Sequence, residues 1–258
     1  MDLFAVIGTF FGFGMVLLGM IMEGGNLAQI MQITAAFIVL GGTTGAVILS
    51  FPIGELSTAL KLVKDVYFLM PPQIDPLIRE IVEFSQKARK EGIVALEKLA
   101  KGASDPLLTM GLEAVADGAD PSLVRGMMET QVAQMETYVH SGAKVWESYG
   151  GYAPTLGIIG AVMGLIQVMQ NLNDPSKLGA GIAVAFVATI YGLFAANLIA
   201  IPYSTRLKFK YAKVFMAKEM IIEGVMAIQA GESPALIERK LRAYLLENNQ
   251  QATTTKEG

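Results

Sequence analysis

The sequence predicts an all-α polytopic membrane protein, with four transmembrane helices and a water-exposed helical domain between the second and the third. Three observations lead to this fold class. Hydrophobic residues make up 53% of the 258 residues and charged residues only 17%, a balance that soluble domains rarely have. The apolar residues form uncharged runs of about twenty, the length that spans a bilayer core. Between two pairs of runs, the chain is charged and has the spacing of amphipathic helices.

The first two spans are predicted within residues 1–53. The run 3–22 carries no charge, and neither does the second run, from about 30 to 53, which contains Thr34, Thr43, Thr44 and Ser50. No basic residue precedes the first run, which is also longer than the apolar part of a signal peptide. We therefore expect it to be a retained membrane helix.

Residues 54–148 are charged and are predicted to form the water-exposed helical domain. The apolar residues have helical spacing, for example Leu77, Ile78, Ile81, Val82 and Phe84. Asp120 and Pro121 predict a helix that starts with an aspartate cap and a proline in its first turn. This helix is expected to run with little interruption into the third span.

Residues 149–203 are predicted to form a membrane hairpin, with spans at about 149–168 and 178–201. The loop between them contains Asp174. Pro154 stands near the start of the third span and Pro202 at the end of the fourth. Each proline has two interpretations: it marks a helix end, where proline is tolerated, or it forms a hinge inside a helix.

The basic residues predict the orientation. Ten of the 20 Lys and Arg lie between Lys61 and Lys144, nine follow Pro202, and the last is Lys177. Four spans place both basic regions on one side, which the positive-inside rule assigns to the cytoplasm. Both termini, the domain 54–148 and the tail 204–258 are therefore expected to be cytoplasmic.

The composition excludes several classes of function. The chain has no Cys and one His, so metal and thiol chemistry are not expected, and no nucleophile–base pair or phosphate loop suggests an enzyme or a cofactor. A net charge of −3 gives no footprint for nucleic acid.

None of the spans contains an ionisable residue, so any ion-binding carboxylate must come from another chain. Thr189, near the middle of its span, either faces a wet path or bonds back to its own helix.

Three stretches carry a resemblance to a known family: YAPTLGIIGAVMGL at 152–165, GAGIAVAFVATIYGLFAANLIAIP at 179–202 and KARKEGIVALE at 87–97. With the four spans, they resemble the A subunit of the bacterial flagellar motor stator. This is the MotA/PomA group of the MotA/TolQ/ExbB superfamily of ion channels.

The resemblance implies a non-enzymatic stator subunit in the bacterial inner membrane, without cofactors. It implies a pentamer of this chain around the helices of a B subunit, which supplies an intramembrane Asp and a peptidoglycan anchor. Ion flow through the complex turns the rotor, which the cytoplasmic domain contacts at the protein FliG.

The resemblance also assigns roles to six residues. Arg89 and Glu97 match the rotor-binding charges, and they would share a helix face if Gly92 does not break that helix. Pro154 and Pro202 match the coupling prolines, and Thr189 matches the threonine of the ion path. Ala161 occupies a position where sodium-type members commonly have Thr, which favours protons.

Two alternatives stay open at this point. An ExbB- or TolQ-like energiser of outer-membrane transport would typically have three spans and an external N-terminus. A sodium-driven stator would have the same architecture as a proton-driven one.

Overall fold

The computed structural model describes residues 1–173 and 175–254, without the side chains of residues 175–177 and 246–254. Asp174 and the side chain of Lys177, both in the predicted outer loop, lie outside the described residues. The chain divides into two units. The first unit contains Met1–Met70 and Tyr138–Phe209, and the second contains Pro71–Thr137 and the chain from Lys210.

The described residues are organised in helices. In chain order these are α1 (Leu3–Met22), α2 (Ile33–Ser50), α3 (Ile53–Phe68), α4 (Ile74–Glu91), α5 (Leu96–Ala100), α6 (Pro106–Ala116), α7 (Pro121–Gln170), α8 (Pro175–Phe194), α9 (Ile201–Gln229) and α10 (Pro234–Thr254). Single 3₁₀ turns at Leu27–Ile30 and Ile93–Ala95 lie between helices. A π-helical segment, Ala195–Ala200, joins α8 to α9, so that Leu178–Gln229 is one unbroken helix.

Among the described residues, four helices are long and apolar enough to cross a membrane, which confirms the predicted number of spans. They are α1, α2, the apolar part of α7, and the helix that runs from α8 into α9. The second span is shorter than predicted and ends at Ser50. Phe51 is extended, with φ −131° and ψ 141°, because the residue before a proline is driven out of the helical region.

Helix α7 confirms the predicted continuity between the polar chain and the third span. It starts at Pro121, and the backbone N–H of Ser122 donates to the Asp120 carboxylate at 2.8 Å. The helix then continues for 50 residues. Pro154 therefore lies inside a helix, and Pro202 does too, since α9 continues to Gln229. The interpretation of the two prolines as helix ends is wrong.

The second unit is built around one apolar core. The face of α4 predicted from its spacing is buried there, and helices α5, α6, α7, α9 and α10 contribute the other side chains. Its fully buried large members are Ile78, Ile81, Leu96, Leu108, Leu112, Met128, Met220, Ile221, Ile237 and Leu241.

An ion pair fixes the start of α6 inside this unit. Lys218 on α9 donates to both carboxylate oxygens of Asp105, at 2.8 and 2.7 Å. Asp105 also caps α6 by accepting from the N–H of Leu107 at 2.8 Å. The side chains of Lys218 and Asp105 are only 14% and 15% exposed, so this pair is largely withdrawn from water.

Replacing Lys218 by methionine is expected to lower the free energy of unfolding by about 2–3 kcal/mol. The apolar stem is retained, but the mostly buried carboxylate of Asp105 loses its counter-charge. Thermal unfolding of the detergent-purified protein, followed by circular dichroism, measures the change. Arg242→Met is the matched control, because it removes two exposed pairs, with Glu238 and Asp75, each worth less than about 1 kcal/mol. Equal losses in the two variants would contradict the assignment.

Candidate functional site

The third and fourth spans pack against each other through glycine and alanine, with backbone close to backbone. A β-carbon placed on Gly164 would lie 2.8 Å from the carbonyl oxygen of Gly181 and 2.8 Å from the amide nitrogen of Ala185. One placed on Gly192 would lie 2.5 Å from the carbonyl oxygen of Ala153. Contacts of this kind bring helix backbones to their closest approach in lipid.

Thr189 lies on the fourth span at the edge of this contact. A β-carbon on Gly157 of α7 would be 3.3 Å from the Thr189 α-carbon. The hydroxyl of Thr189 is half-buried and donates to the carbonyl of Ala185 at 3.1 Å. The bond back to its own helix, one of the two options from the sequence, is therefore present. It uses the proton of the hydroxyl and leaves the oxygen able to accept.

Ala161 is half-buried on α7, one residue after Gly160. A β-carbon on Gly160 would lie 2.6 Å from the β-carbon of Ala188 on the fourth span. Ala161 therefore belongs to the part of the third span that packs against the helix carrying Thr189. Its methyl group brings no oxygen ligand to this region.

The two prolines lie at neighbouring levels of the packed helices. Proline has no N–H, so Pro154 leaves the carbonyl of Gly150 without its usual helical partner. A β-carbon on Gly150 would lie 2.6 Å from Cγ1 of Ile201, the residue before Pro202. The Pro154 α-carbon is also 3.2 Å from the β-carbon position of Gly192.

A π-helical segment precedes Pro202. The widened turns at Ala195–Ala200 change the hydrogen-bond register just before the proline. Such segments appear where a helix absorbs an irregularity, frequently at functional positions. The fourth span thus carries two departures from a regular α-helix, the π segment and the proline, within eight residues (195–202).

Aromatic and charged side chains surround the segment that follows Pro202. The hydroxyl groups of Tyr203 and Tyr67 are 2.6 Å apart, and the ring of Trp146 lies edge-on to Tyr203, with 5.3 Å between centroids. Arg206 donates to the carboxylate of Asp2 at 2.6 Å. Sequence reasoning missed this cluster, because aromatic residues at the ends of spans are ordinary and these partners are far apart in the chain.

Glu147 on α7 and Lys208 on α9 form a second link between these two helices. The ammonium of Lys208 donates to Glu147 at 2.8 Å, and this bond lowers the pKa of the Glu147 carboxyl, aided by the charges of Lys208 and Lys144. A carboxyl with a lowered pKa stabilises the fold above its ordinary pKa and loses that contribution as pH falls through the lowered value. The link is therefore intact at neutral pH.

Arg89 and Glu97 are both exposed, but they do not share a helix. Helix α4 ends at Glu91, and Gly92 has φ +88°, a conformation open to glycine and costly for other residues. Glu97 stands on the separate helix α5. The condition under which the two residues would share a helix face is therefore not met, because Gly92 breaks the helix. Both residues belong to the second unit, whereas the prolines and Thr189 belong to the first.

Comparisons with known proteins match the chain over nearly its full length. The model of the MotA/TolQ/ExbB proton channel family matches residues 99–220, and the model of the motility protein A N-terminal region matches residues 6–92. Motility protein A of Bacillus subtilis is 35% identical over 247 residues, which cover 95% of this chain and 91% of that protein. The chain belongs to the motility protein A family. The chemotaxis protein PomA of Vibrio alginolyticus is 30% identical over 250 residues, which cover 97% of this chain and 98% of that protein.

Solved structures of motility protein A relatives have the same fold. The structure of C. jejuni MotAB has a TM-score of 0.89 at 28% identity, covering 95% of this chain and 96% of that chain. The flagellar MotAB stator complex from Bacillus subtilis has a TM-score of 0.87 at 32% identity, with coverages of 96% and 98%. As a member of this family, the chain is a stator channel subunit of the flagellar motor and not an enzyme.

Proposed function

We propose that this chain conducts ions only together with a B subunit, whose carboxylate binds the ion. The observation that carries the proposal is the absence of Asp, Glu, Lys, Arg and His from the four apolar spans, 3–22, 33–50, 153–170 and 178–202. A group that binds and releases a cation inside a membrane must itself titrate or carry charge. The solved relatives are described as MotAB complexes, which supports a B partner for this chain.

The proposed assembly is a pentamer of this chain around the helices of the B subunit, in the bacterial inner membrane. The distribution of Lys and Arg supports cytoplasmic termini. In this arrangement residues 1–53 supply the first two spans, and 149–203 form the coupling hairpin. Residues 54–148 form the rotor-contacting domain, and 204–258 form the cytoplasmic tail.

The proposed ion path passes Thr189 and Ala161. The oxygen of Thr189 accepts a hydrogen bond from a protonated carboxyl or a water, while its own O–H continues to donate to the Ala185 carbonyl. A dehydrated sodium ion needs several oxygen ligands, and the methyl of Ala161 offers none. These two features together favour protons over sodium as the translocated ion.

The proposed coupling runs from Pro154 and Pro202 to the rotor contact. Both prolines lack a backbone hydrogen bond inside a helix, so the surrounding turns bend at low cost when the partner carboxylate changes its charge. Arg89 and Glu97 then act on the rotor protein FliG as exposed charges of opposite sign.

Replacing Thr189 by valine is expected to lower proton flux about tenfold or more. Valine keeps the shape of the side chain but removes the acceptor, and a buried donor left without its acceptor costs about 1–3 kcal/mol. The measurement is dye-detected acidification of vesicles that contain the chain and its B subunit.

Two controls test whether the loss of flux is due to the missing hydroxyl and whether flux requires the B subunit. Thr189→Ser keeps the hydroxyl and should retain most of the flux, and vesicles with this chain alone should conduct nothing. Equal flux in the valine and serine variants would remove Thr189 from the path. Conduction by the chain alone would overturn the dependence on a B subunit.

A further inference from the structure

The turn between α4 and α5 presents two aliphatic side chains to solvent. Val94 is 74% exposed and Ile93 44%. Val94 is the most exposed large apolar residue among the described residues of the second unit, where Leu123 and Met127 follow at 56% and 43%. An isolated apolar residue on a surface is ordinary. Whether this pair forms a binding surface therefore depends on the residues around it.

Backbone hydrogen bonds and buried neighbouring residues hold this turn in place. Gly92, with φ +88°, ends α4, and its N–H donates to the carbonyl of Ala88 at 3.0 Å. The N–H of Ala95 closes the turn on the carbonyl of Gly92 at 3.1 Å. Directly after it, Leu96 and Ala100 are fully buried in the core of the unit. The exposure of Ile93 and Val94 is therefore a property of the folded turn and not of a frayed end.

Exposed charges of both signs border the apolar pair. Arg89 and Lys90 precede it, and Glu97 and Lys98 follow it. Among the described residues none of these four forms an ion pair, whereas nearby Lys87 is paired with Glu83 at 2.7 Å. An apolar pair flanked by exposed charges matches the layout of protein interfaces, in which an apolar core has a polar rim.

We infer that Ile93 and Val94 are the apolar anchor of the rotor contact. The inference rests on the proposed function, in which Arg89 and Glu97 meet the rotor protein. The anchor enters an apolar depression on that protein, bordered by an acidic group opposite Arg89 and a basic group opposite Glu97. Exposed charge pairs in water add little affinity and mainly steer and orient the partner. Burial of the two aliphatic side chains supplies the attraction that salt does not screen.

The test measures binding of purified rotor protein to the full chain in complex with its B subunit in nanodiscs. Titrations at about 0.1 M and about 1 M salt separate screened from unscreened attraction. The double variant I93S/V94S should bind at least about tenfold more weakly at both salt concentrations. R89Q/E97Q should weaken binding at low salt and change little at high salt. L123S/M127S, which alters an equally exposed pair elsewhere in the unit, should bind like the parent.

The outcomes distinguish this inference from the function on which it rests. If I93S/V94S binds like the parent while R89Q/E97Q binds weakly, the anchor is wrong and the rotor contact stands. If the parent complex does not bind the rotor protein at either salt concentration, the proposed contact and the anchor both fail. The thermal unfolding of I93S/V94S should match that of the parent, since both side chains are exposed, and a lowered transition would assign the pair to the fold instead.

Discussion

Replacing Gly192 by alanine is expected to abolish motility and to lower the thermal transition of the purified protein. The added methyl would lie 2.5 Å from the carbonyl oxygen of Ala153 and 3.2 Å from the α-carbon of Pro154. Both are backbone atoms of the facing helix, so no side chain can rotate away. The third and fourth spans must separate, which costs about 1–3 kcal/mol for overpacking of this kind.

The matched control for this variant is Gly179→Ala on the same span. A β-carbon at Gly179 meets no atom within 4 Å among the residues described. The Gly179→Ala substitution therefore adds the same methyl group to the same span without a collision with backbone atoms. We expect normal motility and an unchanged thermal transition from it. A Gly192→Ala protein that melts and swims like the Gly179→Ala protein would show that the close helix contact is not needed.

The number and approximate positions of the spans were predictable because the bilayer imposes a strict condition on the chain. A span must be apolar for about twenty residues, and the runs that begin at Leu3, Ile33, Ala153 and Leu178 meet this condition without a charge. The length of the second span was less predictable. Its helix ends at Ser50 because Pro52 restricts Phe51, a local effect that hydropathy does not register.

The details of the candidate site depend on contacts that local patterns do not encode. A proline inside an apolar run is compatible with a helix end or with a continued helix, and packing decides between them. Here the helix continues through Pro154, where Gly192 of the fourth span leaves room for a close contact. The hydrogen bond between Tyr67 and Tyr203 joins residues 136 positions apart, so no window of the sequence contains both partners.

The helix break between Arg89 and Glu97 differs from these contacts, because the residue that causes it is visible in the local sequence. Its effect on the helix, however, was ambiguous. A glycine inside a helical pattern either is tolerated or ends the helix. At Gly92 the backbone takes a positive φ, which ends α4 and turns the chain into the exposed Ile93–Val94 pair. The two charges are both exposed but stand on separate helices, so they do not share the face that an unbroken helix would have given them.

Replacing Pro154 by alanine is expected to reduce swimming to the level of cells without a stator, while membrane insertion and thermal stability are retained or raised. Alanine restores the backbone hydrogen bond to the Gly150 carbonyl and removes a residue that costs about 3 kcal/mol in a helix interior. The α-carbon that contacts Gly192 stays in place. The helix becomes stiffer at the level where it meets Ile201 and Pro202, and the bending proposed to transmit ion binding is lost.

Stability is what separates this variant from Gly192→Ala. Both are expected to stop the motor, but only the glycine variant does so by disturbing the fold. Pro121→Ala is the matched control, because Pro121 occupies the first turn of the same helix, where the missing N–H has no partner to lose. Soft-agar swimming, tethered-cell rotation and thermal unfolding of all three proteins provide the comparison. Normal rotation of cells with the Pro154→Ala protein would overturn the coupling role, because the hinge would then be dispensable while the channel and the rotor contact stayed intact.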